Sequence, residues 1–205
     1  KVLIATPGPA DTDFYMTTLD PNNKRGGTLI TANNGPPSHW DFYAAGSITW
    51  HGVMSSMYDN LLRLDSRSAD MTIVPEIGTT WELNPDMTEW TFKIRDGVRF
   101  HDGSDLTPLD VKATIDRMAF PPEGVAANSK GLWQSTSLRE ITATDDSVTF
   151  HLDEPRSTQH MMAVFSESQG KISSKANLDE FGGNMKKVGA LDSMATRTPG
   201  PTAEN

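Results

Sequence analysis

The 205 residues carry 18 Lys and Arg against 27 Asp and Glu, a net charge of −9 with a pI near 4.9, which excludes nucleic acid as the main partner because a phosphate backbone needs a basic footprint. Apolar residues amount to 36%, a lean core that at this length buries about 70% of the unfolded surface; no run reaches the roughly 18 apolar residues of a membrane span. The absence of Cys removes disulfides, thiolate metal sites and a cysteine nucleophile.

Residues 1–26 are loosely patterned and read as a lead-in segment ending in the turn-rich Asp20-Pro21-Asn22-Asn23 stretch. Lys1-Val2-Leu3-Ile4-Ala5 is too short for a secretory signal, so the expectation is a chain that either stays inside or starts after a cleavage point. Thr28–Ala32 reads as a first strand, and Asn33 to Ser38 as the loop after it. Trp50, Val53, Met54, Met57, Tyr58 and Leu61 share one face at helical spacing and predict a core-facing helix.

Beyond a linker near Ser66–Met71, period-two alternation takes over. Trp81 and Leu83, then Trp90, Phe92 and Ile94, then Val98 and Phe100 predict a three-strand antiparallel meander near 79–84, 89–95 and 98–100 with one apolar face. Thr107-Pro108-Leu109-Asp110 places Thr at the N-cap, Pro at the first helical position and an acid at the third, so a helix over Pro108–Ala119 is expected, packed against the antiparallel sheet that contains these strands. Ile141 and Ala143, across Asp145-Asp146 from Val148, Phe150 and Leu152, predict a hairpin. Short helices are expected over 159–165 and 174–181, and from Ala190 onward no face remains to bury.

Motifs for chemistry are sparse. His101-Asp102-Gly103-Ser104-Asp105 offers oxygen ligands around a glycine, but the twelfth position of a calcium loop counted from Asp102 is Ala113, which cannot coordinate, so a turn is expected. Asp145-Asp146 is read as a turn before a metal pair. Histidines 39, 51, 101, 151 and 160 include no pair at helical ligand spacing. Neither a Gly-x-Ser-x-Gly elbow nor a phosphate loop is present. No enzyme, cofactor or metal site is expected from these patterns.

Trp90-Thr91-Phe92-Lys93-Ile94-Arg95-Asp96-Gly97-Val98-Arg99-Phe100-His101-Asp102-Gly103, followed by Leu106-Thr107-Pro108-Leu109-Asp110-Val111, resembles the signature of the family 5 extracellular solute-binding proteins of ABC importers. Further matches are Gly26-Gly27-Thr28-Leu29, Met57 to Asp65, Ile73 to Ile77, Trp81 to Leu83 and Asp145 to Pro155, so the resemblance covers about 26–189.

The resemblance implies an α/β (mixed α+β) fold of the type II periplasmic-binding-protein-like kind, here a partial first lobe with an antiparallel-sheet subdomain. Residues 27–65 would start that lobe, 66–165 form an outrigger subdomain, 166–189 return, and 190–205 be an unpatterned tail. The implied function is the substrate-binding component of an importer, capturing a peptide-like solute between two lobes. The alternatives are another solute, such as an oligosaccharide or nickel chelate, or a truncated product that binds nothing. Expected partners are the small-molecule or peptide solute and the ABC transporter's membrane permease, with no nucleic acid and no direct membrane insertion. The expected location is periplasmic or extracellular. By position, Asn34, Gly35, Pro36, Pro37, Ser38 and His39 match the family loop at the lip of the cleft. Gly35 permits close backbone approach, Pro36 and Pro37 stiffen the loop, and Ser38 and His39 offer hydrogen bonds.

Overall fold

Alternation of large apolar residues decides the centre of this fold. The computed structural model describes residues 41–44, 57–65, 72–167 and 170–183, together with the backbone of 2–3 and 201–202. Its elements are β1 (Val2–Leu3), a 3-10 turn (Phe42–Ala44), β2 (Leu62–Leu64), β3 (Ile73–Pro75), β4 (Gly78–Leu83), β5 (Glu89–Ile94) and β6 (Arg99–Phe100). They continue with α1 (Pro108–Ala119), α2 (Lys130–Gln134), β7 (Leu138–Ala143), β8 (Ser147–Leu152), α3 (Thr158–Ser166), α4 (Lys175–Glu180) and β9 (Pro201–Thr202).

The main sheet is antiparallel and five-stranded, in the order β1-β4-β5-β8-β7. Register follows the alternation: Trp81 faces Phe92, Leu83 faces Trp90, Phe92 faces Val148, and both Trp90 and Ile141 face Phe150. One face therefore collects the aromatic rings, and Trp90 and Phe92 are wholly buried, at 0% exposure. The helices complete the layer. Phe165 of α3 lies 4.6 Å from the Phe92 ring and 4.9 Å from Phe150, edge to face, while Trp133 of α2 stacks on Phe150 at 6.1 Å. The opposite face is polar, with Thr91 and Thr149 hydroxyls 2.9 Å apart and His151 Nδ1 3.3 Å from Glu89 Oε1.

Turn chemistry fixes the strand ends. Asn84 Oδ1 accepts from the amides of Thr88 at 2.8 Å and Glu89 at 3.0 Å, closing the β4–β5 turn. At the start of β4 the chain passes so close to β5 that a Cβ on Gly78 would stand 3.0 Å from the Phe92 ring and 3.2 Å from the Leu61 carbonyl. Helix α1 begins as its sequence predicts: the Thr107 amide and hydroxyl both donate to Asp110 Oδ2, at 2.8 and 2.7 Å. Val111, Ile115 and Met118 recur at helical spacing and are fully buried. Helix α3 starts on Ser157, whose Oγ accepts from the His160 amide at 3.3 Å.

The mixed α/β class, the β4–β5 pair, the β7–β8 hairpin and the helices α1, α3 and α4 match the sequence expectations. The third strand of the meander does not. Residues 99–100 pair with Pro201–Thr202, and Arg99 bridges to Asp105, whereas the free edge of β5 goes to β8. The cause is local: the Val98 carbonyl accepts from Leu106 and the Phe100 amide donates to Ser104, both at 2.8 Å, so part of the backbone of this short segment is taken by its own loop. Helix α1 packs on the antiparallel sheet as expected, over its β7–β8 half.

The helix expected over 50–61 is not continued by residues 57–61, which are irregular and run into β2. Tyr58 and Leu61 are nonetheless buried, because they face the same core from an extended chain. The β2–β3 ribbon and α2 were not anticipated. The Thr28–Ala32 strand, the 66–71 linker and residues 50–56 lie outside the described residues, as do the lead-in and tail apart from β1 and β9.

This packing predicts that Phe92→Ala lowers unfolding free energy by about 3–5 kcal/mol. Thr91→Ala, on the polar face one residue away, should cost under about 1 kcal/mol. Urea denaturation of the two variants measures the contrast, and equal losses would contradict a one-sided core.

Candidate functional site

The loop Asn34 to His39, with Gly35, Pro36, Pro37 and Ser38 between, lies outside the described residues. What the structure does show is the platform on which the chain lands directly after it. Asp41 is 1% exposed, and its Oδ1 caps the 3-10 turn by accepting from the amides of Tyr43 at 3.0 Å and Ala44 at 3.1 Å. Its Oδ2 accepts from Arg117 Nη2 at 3.2 Å.

Arg117 is 4% exposed and occupied in several directions. Its Nη2 also donates to the Ala126 carbonyl at 2.8 Å, its Nε donates to the Gly183 carbonyl, and its guanidinium lies 5.7 Å from the centre of the Tyr43 ring. Gly183 has φ +73°, and a Cβ there would stand 2.9 Å from Arg117 Cδ, so both backbone conformation and space call for glycine. The Tyr43 hydroxyl donates to the Lys171 carbonyl at 3.1 Å and is hydrogen-bonded to Ser173 Oγ. Burial holds this phenol well above the ordinary tyrosine range.

These contacts arise from a second stripe on α1. Asp110, Thr114 and Arg117 recur at i, i+4 and i+7 beside the apolar stripe, and all are buried. Asp110 Oδ1 accepts from the Lys175 amide at 2.7 Å, and Thr114 Oγ1 exchanges hydrogen bonds with the Ser173 backbone at 3.0 Å in each direction. One helix thus fastens the start of α4, residues 171–174 and the 41–44 turn.

Next to this platform, Lys171 Nζ donates to the Tyr58 carbonyl at 2.8 Å, and Glu76 Oε2 accepts from the Asn60 amide at 2.6 Å. Withdrawal from water, reinforced by the neighbouring Asp59, pushes Glu76 up to about 8, and the same withdrawal lowers Lys171. Among the described residues no group of three or more His, Asp or Glu is placed to hold a metal ion. His101–Ser104 is a tight turn in which Asp102 Oδ1 accepts from the Ser104 amide at 2.9 Å and hydroxyl at 2.7 Å. A surface hollow of about 730 Å³ lies between Phe120, Lys130 and Arg156. Arg156 there is already bonded to the Ser137 hydroxyl and lies 3.4 Å from Glu154. Among the described residues no helix is long and apolar enough to cross a membrane.

Of these buried polar residues, only Asp110 stood out in the sequence, as part of the helix start. Their one signal is Thr and Arg recurring on α1 at the spacing of Asp110, a pattern shared with any solvated helix face. What they do chemically is positional: each carboxylate and hydroxyl described here is engaged with backbone or with another side chain, which makes a stiff base. Arg117→Met should therefore cost about 3–5 kcal/mol of stability, because Asp41 is left as an uncompensated buried charge. Adding Asp41→Asn should recover part of that loss; denaturant midpoints of the single and double variants measure the coupling.

Comparison with known proteins places the chain. The sequence model of the bacterial extracellular solute-binding proteins, family 5 (middle region), matches residues 72–190. The glutathione-binding protein GsiB of Shigella flexneri is 31% identical over 81 residues, 40% of this chain and 15% of the relative. The periplasmic binding protein AgaA of A. tumefaciens R10, solved with agropinic acid, superposes with a TM-score of 0.63 at 26% identity, over 76% of this chain and 30% of AgaA. DppA of Helicobacter pylori, solved with the peptide STSA, gives 0.62 at 24% identity, over 73% of this chain and 31% of DppA, a likeness of fold. The chain therefore spans under a third of the length of these relatives. With the family's sequence model matched over more than half of its residues, the chain belongs to the bacterial extracellular solute-binding proteins of family 5.

Proposed function

We propose that this chain acts as the N-terminal part of the substrate-binding component of an ABC importer and captures a peptide-like solute in a cleft between two lobes. The observation that carries the reading is the family match over residues 72–190. The name of GsiB, a binder of the tripeptide glutathione, favours a peptide-like solute. The physical logic is that a cleft between two lobes removes most of a small ligand's surface from water, and closure supplies the differential contacts a membrane permease can read. Capture of this kind is non-catalytic, in keeping with a described platform whose polar groups are engaged in structural bonds.

In this reading 27–65 begins the first lobe, 66–165 is an outrigger on it, and 166–189 leads back. The protein works outside the cytoplasmic membrane with its permease partner. Asn34, Gly35, Pro36, Pro37, Ser38 and His39 form the lip that meets the solute, carried on the rigid turn that starts at Asp41. A second reading, capture of a small non-peptide organic acid, is favoured by the likeness to AgaA, which was solved with agropinic acid.

Native mass spectrometry of a two-lobed protein containing this sequence, purified from its host, should reveal a retained solute; a peptide mass supports the first reading and an organic acid the second. In the same protein Gly35→Trp should weaken binding of that solute more than tenfold, about 1.4 kcal/mol, without shifting the melting temperature. Unchanged affinity would remove the 34–39 loop from the site.

A further inference from the structure

Two Asp-Gly pairs flank β6: Asp96-Gly97 in the turn after β5, and Asp102-Gly103 in the turn that leads toward α1. Their surroundings are alike in most respects. All four residues are exposed, and both glycines lie in the left-handed region, at φ +74° and +86°. A Cβ added to either glycine would meet nothing within 4 Å, so space does not distinguish the two turns.

Hydrogen bonding does. The Gly103 amide donates to the Phe100 carbonyl at 2.9 Å, and Asp102 Oδ1 accepts from the Ser104 amide at 2.9 Å and hydroxyl at 2.7 Å. The Ser104 hydroxyl, and then its amide, hold the Asp102 carboxyl below the ordinary aspartate range. Among the described residues, neither the Asp96 carboxylate nor the Gly97 amide makes a hydrogen bond. Both residues line an open hollow of about 260 Å³ between the end of β5, the start of α1 and the β7–β8 turn. The Asp96 side chain therefore has room to turn, and water has access to it.

We propose that Asp96-Gly97 is a spontaneous modification site at which the folded chain forms a cyclic imide and then isoaspartate, and that the hydrogen-bonded turn at 102–104 protects Asp102-Gly103 from the same reaction.

The chemistry needs the glycine nitrogen to reach the aspartate side-chain carbon. In the first step the Gly97 nitrogen bonds to Asp96 Cγ and gives up its proton, while a carboxyl oxygen departs as water and the imide closes. In the second, water adds to one imide carbonyl and a C–N bond breaks. Cleavage at Cγ restores aspartate. Cleavage at the main-chain carbonyl leaves the chain running through Cβ and Cγ beside a new α-carboxylate. Water is lost and regained, so no further reactant is consumed. At Asp102 both participants are already engaged, the nitrogen with Phe100 and the carboxylate with Ser104, and the protonated carboxyl that sheds water most readily is disfavoured.

The product would fall at a tightly held corner. The Arg95 amide donates to the Ile77 carbonyl at 2.9 Å, the Leu106 amide donates to the Val98 carbonyl at 2.8 Å, and Val98 itself is buried. An extra main-chain methylene between Arg95 and Val98 has to be absorbed between a sheet end and a core residue.

Prolonged incubation of the intact 205-residue chain at neutral pH, once folded and once unfolded in urea, tests the proposal. Tryptic cleavage at Arg99 places Asp96 and Asp102 in different peptides. Isoaspartate in each is counted by chromatographic separation of the equal-mass isomers and by labelling with an isoaspartyl methyltransferase. In the folded chain conversion at Asp96 should exceed that at Asp102 about tenfold or more, because Asp102 reacts only from the small fraction in which its turn has opened. In urea, where neither turn persists, the two should convert at similar rates. Conversion at Asp96 no faster than at Asp102 in the folded chain would overturn the proposal, as would a difference of the same size in urea, which would trace the contrast to neighbouring sequence instead of the fold.

Discussion

Everything described here hangs on the burial of β5 from both edges and one face. Trp90, Phe92 and Ile94 point to the same side, and each is 3% exposed or less. With β4 on one edge and β8 on the other, the backbone of β5 has no exposed hydrogen-bonding row. Shifting its register by one residue would turn the aromatic set to water, so the pairing partners have no second choice. Phe165 and Trp133 then fix where α3 and α2 can lie, because each packs its ring on Phe92 or Phe150.

Helix α1 converts that apolar layer into a support for polar segments. Its Val111, Ile115 and Met118 stripe belongs to the core, and its Asp110, Thr114 and Arg117 stripe holds the 41–44 turn and the 171–175 stretch. A binding protein gains from such an arrangement. Segments already fixed lose less entropy when a neighbouring loop binds a ligand.

Sequence reading reached the parts of this fold in which one period dominates. Trp81 to Ile94 and Ile141 to Leu152 alternate without interruption, and Thr107-Pro108-Leu109-Asp110 carries a complete helix start, so β4, β5, the β7–β8 hairpin and α1 are legible. The misassigned partner of β6 shows the limit of the method: Val98 and Phe100 alternate correctly, but a local loop at 103–106 takes part of their backbone bonds. Met57, Tyr58 and Leu61 fit a helical face, yet Tyr58 and Leu61 are buried within an irregular segment, because burial alone does not specify backbone conformation. The ribbon of β2 and β3 is too short for its alternation at Leu62, Leu64 and Ile73 to register.

The polar platform was illegible for a different reason. Asp110 showed only as part of a helix start, and nothing in one sequence tells that Ser173, Lys175 and Asp41 come from far along the chain to cover Asp110, Thr114 and Arg117. Hydrogen–deuterium exchange of the 205-residue chain tests the central role of β5 most directly. The account predicts that the amides of β5 and β8 exchange slowest of all and do so only through global unfolding; exchange in these strands as fast as in the 123–128 loop would contradict it.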